Sequence, residues 1–125
     1  MKDFEQMLQK IRKLKAKSTF HPEAYAFLME ALQYTVSMLP TPRHISGKEL
    51  LEGIRIYTCK QYGKMAKSVL NHWKIFTTDD FGQIVFDLVD VNILRKQPED
   101  KMEDFHAIYN FDEAFLNIDQ FADSP

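Results

Sequence analysis

The residues best suited to chemistry lie together at Arg43-His44-Ile45-Ser46-Gly47, directly after Pro42. A helix opening at Ser46 would present unpaired backbone N–H groups and the positive end of its dipole to an anion. Gly47 would let a ligand come close to the backbone. Arg43 adds a planar fork of donors and His44 a titratable one. Arg43, His44, Ser46 and Gly47 are therefore the candidate anion-binding residues, for a phosphate or a carboxylate. A purely structural reading uses the same residues. Ser46 and Glu49 have the spacing of a capping box, and Arg43 can pair with a carboxylate of the acidic C-terminal part.

Other reactive types are more scattered. The four histidines, His21, His44, His72 and His106, show no His-x-x-x-His spacing, and the single Cys59 rules out Cys-x-x-Cys, so no metal site is read. His21 is expected at the start of a helix, and His72, beside Trp73, packed or at the surface. Asp87 and Asp90 share a helix face, but paired acids do acid–base work only where burial or proximity splits their pKa values. The expectation for them is a solvated face. Cys59 has no adjacent base to generate a thiolate. There is no phosphate-binding glycine loop and no nucleophile elbow. No enzyme, catalytic residue or cofactor is expected. A basic stripe, Lys10, Arg12, Lys13, Lys15 and Lys17, is capable of salt-sensitive phosphate contacts.

The chain that must position these groups has 125 residues, 45% hydrophobic and 27% charged, with a net charge of -2. Those values suit one ordinary globular domain and exclude disordered and fibrous classes. No apolar run reaches the roughly 18 residues of a membrane helix, since Asp87 and Asp90 interrupt the best candidate. The N-terminus is charged and lacks the apolar stretch of a secretory signal. A lone cysteine suits a reducing cytoplasm, which is the expected location. Charge is distributed unevenly. Residues 1–78 carry thirteen basic against six acidic residues, and residues 79–125 three against twelve. The two parts can cancel by folding together, or stay exposed and hold a partner or a second copy.

Periodicity predicts mainly helix. Phe4, Met7, Leu8, Ile11 and Leu14 mark a basic amphipathic helix over residues 1–17. A helical core over 18–92 follows. Its first helix opens at Phe20-His21-Pro22, buries Ala24, Phe27, Leu28, Ala31, Leu32, Thr35 and Leu39, and ends at Pro40-Thr41-Pro42. The next runs from Ser46 to Tyr62 with Gly63 as its stop. A short helix over 64–73 should bury Met65, Val69 and Leu70. Thr78-Asp79-Asp80 opens another, with Phe81, Ile84, Val85, Leu88 and Val89 inside and Asn92 closing it in the left-handed conformation. Residues 93–105 read either as two short strands around a turn or as a loop and one helical turn. The acidic, aromatic segment 93–121 should dock on the core, leaving 122–125 as a tail. The expected fold is one mainly α domain of five or six helices. A C-terminal hairpin would give its second half the element order of a winged helix.

Three stretches carry a likeness: Phe20-His21-Pro22-Glu23-Ala24-Tyr25, Arg43-His44-Ile45-Ser46-Gly47-Lys48-Glu49-Leu50-Leu51-Glu52-Gly53, and Asp80-Phe81-Gly82-Gln83-Ile84-Val85-Phe86. Together with Glu103-Asp104-Phe105 and Phe111-Asp112-Glu113-Ala114-Phe115 they resemble an uncharacterised family of short bacterial proteins, a domain of unknown function. Lys64 and Lys74 stand where the resemblance implies a proline and a glycine. It implies a bacterial, cytoplasmic protein and transfers no catalytic residue. The expected role is a non-catalytic interaction module holding a protein, a second copy of itself or a small anionic partner, away from membranes. Winged-helix-like nucleic-acid binding is the alternative, disfavoured because the helix in the recognition position carries Asp79, Asp80, Asp87 and Asp90.

Overall fold

The structure is a computed structural model that describes residues 5, 6, 9, 10, 12, 13 and 20–115. It is mainly helical. Residues 5, 6, 9, 10, 12 and 13 are helical, with Arg12 and Lys13 exposed and Lys10 half-buried; Lys15 and Lys17 of the basic stripe lie outside the described residues. The elements that follow are α1 (Pro22–Ser37), α2 (Gly47–Tyr62), a 3-10 turn (Gly63–Met65), α3 (Ala66–His72), α4 (Thr78–Asp90), a second 3-10 turn (Met102–Phe105) and α5 (Phe111–Ala114). No helix among them is long and apolar enough to cross a membrane.

Local chemistry sets most helix ends. His21 caps α1, its Nδ1 accepting from the Glu23 N–H, with Pro22 in the first turn. Ser46 and Glu49 form the expected capping box on α2, and Gly63, at φ 51°, stops it. The cap of α4 falls one residue earlier than read, at Thr77, whose partner in a second capping box is Asp80. Asn92 closes that helix at φ 63°, as expected. Lys74 also takes a left-handed φ, of 70°. A side chain there costs roughly 1 kcal/mol that glycine avoids. Lys74→Gly should therefore raise the urea midpoint, by about 0.5–1 kcal/mol of stability; an unchanged or lower midpoint would show that the strain is absorbed elsewhere.

α1 packs along α2, and α4 crosses against both. Between them lie Tyr25, Leu28, Leu51, Ile54, Leu70, Ile75, Phe81, Ile84 and Leu88, all fully buried. Tyr25, missed by the helical periodicity, is buried because its hydroxyl donates to Asp87 across the core at 2.8 Å. Met65, expected inside, is 60% exposed, since the 3-10 geometry of residues 63–65 turns that position outward.

Residues 93–105 form a loop followed by a 3-10 turn, and no strand is present among the described residues, so the hairpin and its winged-helix likeness are corrected. Hydrogen bonds within the loop use side chains in place of a ladder. Asp100 accepts from the Gln97 N–H at 2.8 Å and Asp104 from the Lys101 N–H at 3.2 Å. Of the acidic aromatic segment, the described part up to residue 115 packs on the helices: Phe105, Phe111 and Phe115 are buried, and the Tyr109 hydroxyl donates to the Leu51 carbonyl at 2.9 Å. Met102 and Ile108 of the same segment stay exposed, and Leu116 and Phe121 lie outside the described residues.

Three glycines admit these contacts. A Cβ at Gly82 would sit 2.7 Å from the Cβ and Cγ of Phe105, and one at Gly47 3.0 Å from the same ring. Phe105 thus lies against one bare backbone on α2 and another on α4. Gly53 lets α1 approach α2, because the Thr35 side chain occupies the space a Cβ there would need.

Candidate functional site

The structure brings all four candidate anion-binding residues to the wall of one cavity of about 170 Å³. Leu32 and Val36 of α1, Ile45 and Leu50, and Val85, Phe86 and Val89 of α4 give it apolar walls. Leu94 and Phe105 close it from the loop side. Leu32, Val85 and Val89 read as core positions in the sequence, yet each is only half-buried because its exposed part faces this cavity. The polar residues lining the cavity mark its mouth: Arg43, His44, Arg95 and Lys96, all exposed, with the half-buried Asp100 and Asp104.

Much of the polar capacity of the predicted quartet is engaged within the chain. Arg43 holds Glu49 through both guanidinium nitrogens, at 2.7 and 3.2 Å, and also donates to the His44 carbonyl at 3.0 Å. Its partner is thus the capping-box carboxylate itself, not one from the acidic C-terminal part. That part supplies the partner of His44 instead, with Nε2 3.1 Å from Asp100. Ser46 accepts from the Glu49 N–H at 3.1 Å, while its own N–H donates to Glu49 at 2.9 Å. Gly47 does allow a close approach, but the group that approaches is the ring of Phe105. The Glu49 carboxylate therefore occupies the place at the α2 N-terminus that an external anion would take.

Those donors hold the Glu49 carboxyl down at about 2, Arg43 contributing most and the Ser46 N–H next. Arg43 is correspondingly raised by the same carboxylate. The sign for stability follows from linkage. A carboxyl lower in the folded than the unfolded state stabilises above its ordinary value, 4.5, and loses that contribution as pH falls toward 2. The difference in urea midpoint between wild type and Glu49→Gln should hold from pH 7 to about 5 and shrink below it. A difference independent of pH would mean that the carboxylate charge is not what Arg43 and Ser46 stabilise.

The other chemistry-bearing residues serve structural contacts. Asp80 accepts from the Phe76 and Thr77 N–H groups, at 2.8 and 3.2 Å. Asp87 takes hydrogen bonds from Tyr25 and Gln83, both at 2.8 Å, and Asp79 lies 3.2 Å from Nδ1 of His106. Asp90 is exposed. Cys59 is buried, which pushes its thiol up and disfavours the thiolate, although the charge of Arg55 acts the other way. His21 and His72, 51 positions apart in sequence, come together with ring centroids at 5.7 Å. Among the described residues no three His, Cys, Asp or Glu side chains are placed to hold a metal ion.

Sequence reading missed Arg95, Lys96 and the apolar walls as parts of the site. Arg95 and Lys96 reach the cavity wall after the chain turns back on α4, the Ile93 and Leu94 N–H groups donating to the Leu88 carbonyl, and periodicity does not separate a cavity wall from a core. No protein-family model, curated protein or solved structure matches the chain.

Proposed function

We propose that the protein is a non-catalytic interaction module of the reducing cytoplasm, from the short bacterial family its motifs resemble, built as one domain of five or six helices. Its pocket between α1, α2 and α4 grips a partner through one apolar group with an anion beside it. The observation that carries this reading is the cavity itself: apolar walls under a mouth bearing Arg43, His44, Arg95 and Lys96. Burying one branched or aromatic side chain there is worth roughly 1.5–3 kcal/mol, and the mouth adds orientation. The uneven charge of the chain supports the same kind of role by steering an oppositely charged partner.

The non-catalytic part of the reading is supported by how the candidate groups are used. Glu49 and Asp80 stabilise caps, Asp87 holds Tyr25, and Cys59 lies buried with its thiol raised. Nucleic-acid binding through a winged helix has less in its favour. A loop stands where the wing would be, and the outward residues of α4 include Gln83 and Asp90, the second of which repels phosphate.

Capture from cell lysate by wild type and by Val89→Trp, each with and without nuclease, tests the proposal. The tryptophan fills the pocket from α4, and its urea midpoint and circular dichroism establish that the variant is folded. A partner retained by nuclease-treated wild type and lost with Val89→Trp supports the pocket. Equal recovery by both proteins contradicts it, and recovery abolished by nuclease transfers the role to nucleic acid.

A further inference from the structure

We infer that the ligand group of this pocket is a monocarboxylate with a single aromatic ring or branched aliphatic body. The inference rests on the pocket reading above and adds the chemical class. Size sets the body. A cavity of about 170 Å³ is close to the roughly 150 Å³ apolar cavity that holds one benzene ring, so a longer chain or fused rings would project into solvent.

Charge sets the head. The carboxylates at the mouth already have donors: Asp100 lies against His44 and the Gln97 N–H, and Asp104 takes the Lys101 N–H. Arg43 is engaged by Glu49. Arg95 is different. It is exposed at the mouth and makes no hydrogen bond or ion pair among the described residues. Lys96 beside it donates, among the described residues, only to the Gln97 carbonyl, at 3.3 Å. Two adjacent cations with no acidic partner among the described residues, at the opening of an apolar cavity, complement a carboxylate carried on the buried body. A neutral body would gain no charge-assisted bond from either.

Phenylacetate and its neutral isostere phenylacetamide separate the two halves of the argument. Titrations followed by amide chemical shifts of wild type, Arg95→Gln, Lys96→Gln and Val89→Trp should show phenylacetate binding about tenfold more tightly than phenylacetamide, as one charge-assisted hydrogen bond allows. Arg95→Gln should abolish most of that preference, Lys96→Gln part of it, and Val89→Trp all binding. Added salt should narrow the gap. Equal affinities for acid and amide, both lost in Val89→Trp, overturn the carboxylate class and leave the pocket reading standing. Absence of binding by either probe to wild type overturns both. Binding of phenylacetate that survives Val89→Trp overturns the inference as well, because the acid would then be held outside the cavity.

Discussion

Phe105→Ala is expected to lower stability by about 3–5 kcal/mol, the range for truncating a buried phenylalanine whose surroundings cannot collapse. The surroundings here are backbone. The ring fills the space where a Cβ on Gly47 would stand 3.0 Å from it, its Cβ and Cγ would lie 2.7 Å from a Cβ on Gly82, and Phe86 meets it edge-on with centroids 6.4 Å apart. The N-terminus of α2 and the first turns of α4 are held by their own capping boxes, so neither can move in to fill the space. The Phe105 carbonyl adds a 2.7 Å hydrogen bond from the buried Thr78 hydroxyl, which survives the substitution only while the loop stays docked. Urea titration at neutral pH measures the effect. A loss below about 1 kcal/mol would mean that residues 93–105 lie on the core without stabilising it. Phe105→Leu, which retains much of the volume, should recover part of the loss.

Gly53→Ala is expected to be the second large effect, destabilising by about 1–3 kcal/mol or more although alanine is the better helix former. The new methyl would fall 1.8 Å from Thr35 Oγ1 and 2.7 Å from both its Cβ and Cγ2. Thr35 cannot swing aside cheaply, because its hydroxyl donates to the Ala31 carbonyl at 2.7 Å and its χ1 is restricted by branching. α1 and α2 must then separate along their whole contact. A double-mutant cycle with Thr35→Ala reads the cause directly. The double variant should be markedly more stable than the sum of the single effects predicts, since Oγ1 and Cγ2 are gone. Strict additivity would place the penalty somewhere other than the Gly53–Thr35 contact.

What could be read from the residues, and what could not, divides along sequence separation. Ser46 with Glu49, Pro22 after His21, Gly63 and Asn92 each act on backbone within four residues, so the start of α1 and both ends of α2 and α4 were legible to within two residues, while α1 stops at Ser37, short of the Leu39 that the apolar spacing includes. The four site candidates were also legible as a group, because they flank one helix start. Their partners were only partly so. Arg43 pairs with Glu49, six residues on, while His44 reaches 56 residues to Asp100. Gly47 reads as room for a ligand and the residue pattern assigns Gly53 and Gly82 no role; the purpose of all three is visible only once Phe105 and Thr35 are known to lie against them. Val85 and Val89 show the same limit from the apolar side. A 3.6-residue pattern identifies the inner face of α4 but not that half of it borders a cavity.

The central claim is that this cavity is a binding site for an apolar group, and methyl-resolved NMR with toluene tests it without assuming the partner. The account predicts saturable shifts confined to Leu32, Val36, Ile45, Leu50, Val85, Val89 and Leu94, and their loss in Val89→Trp. Methyl signals unmoved in toluene-saturated buffer, or moved equally at Val69 and Ile75 on the far side of the core, would contradict it.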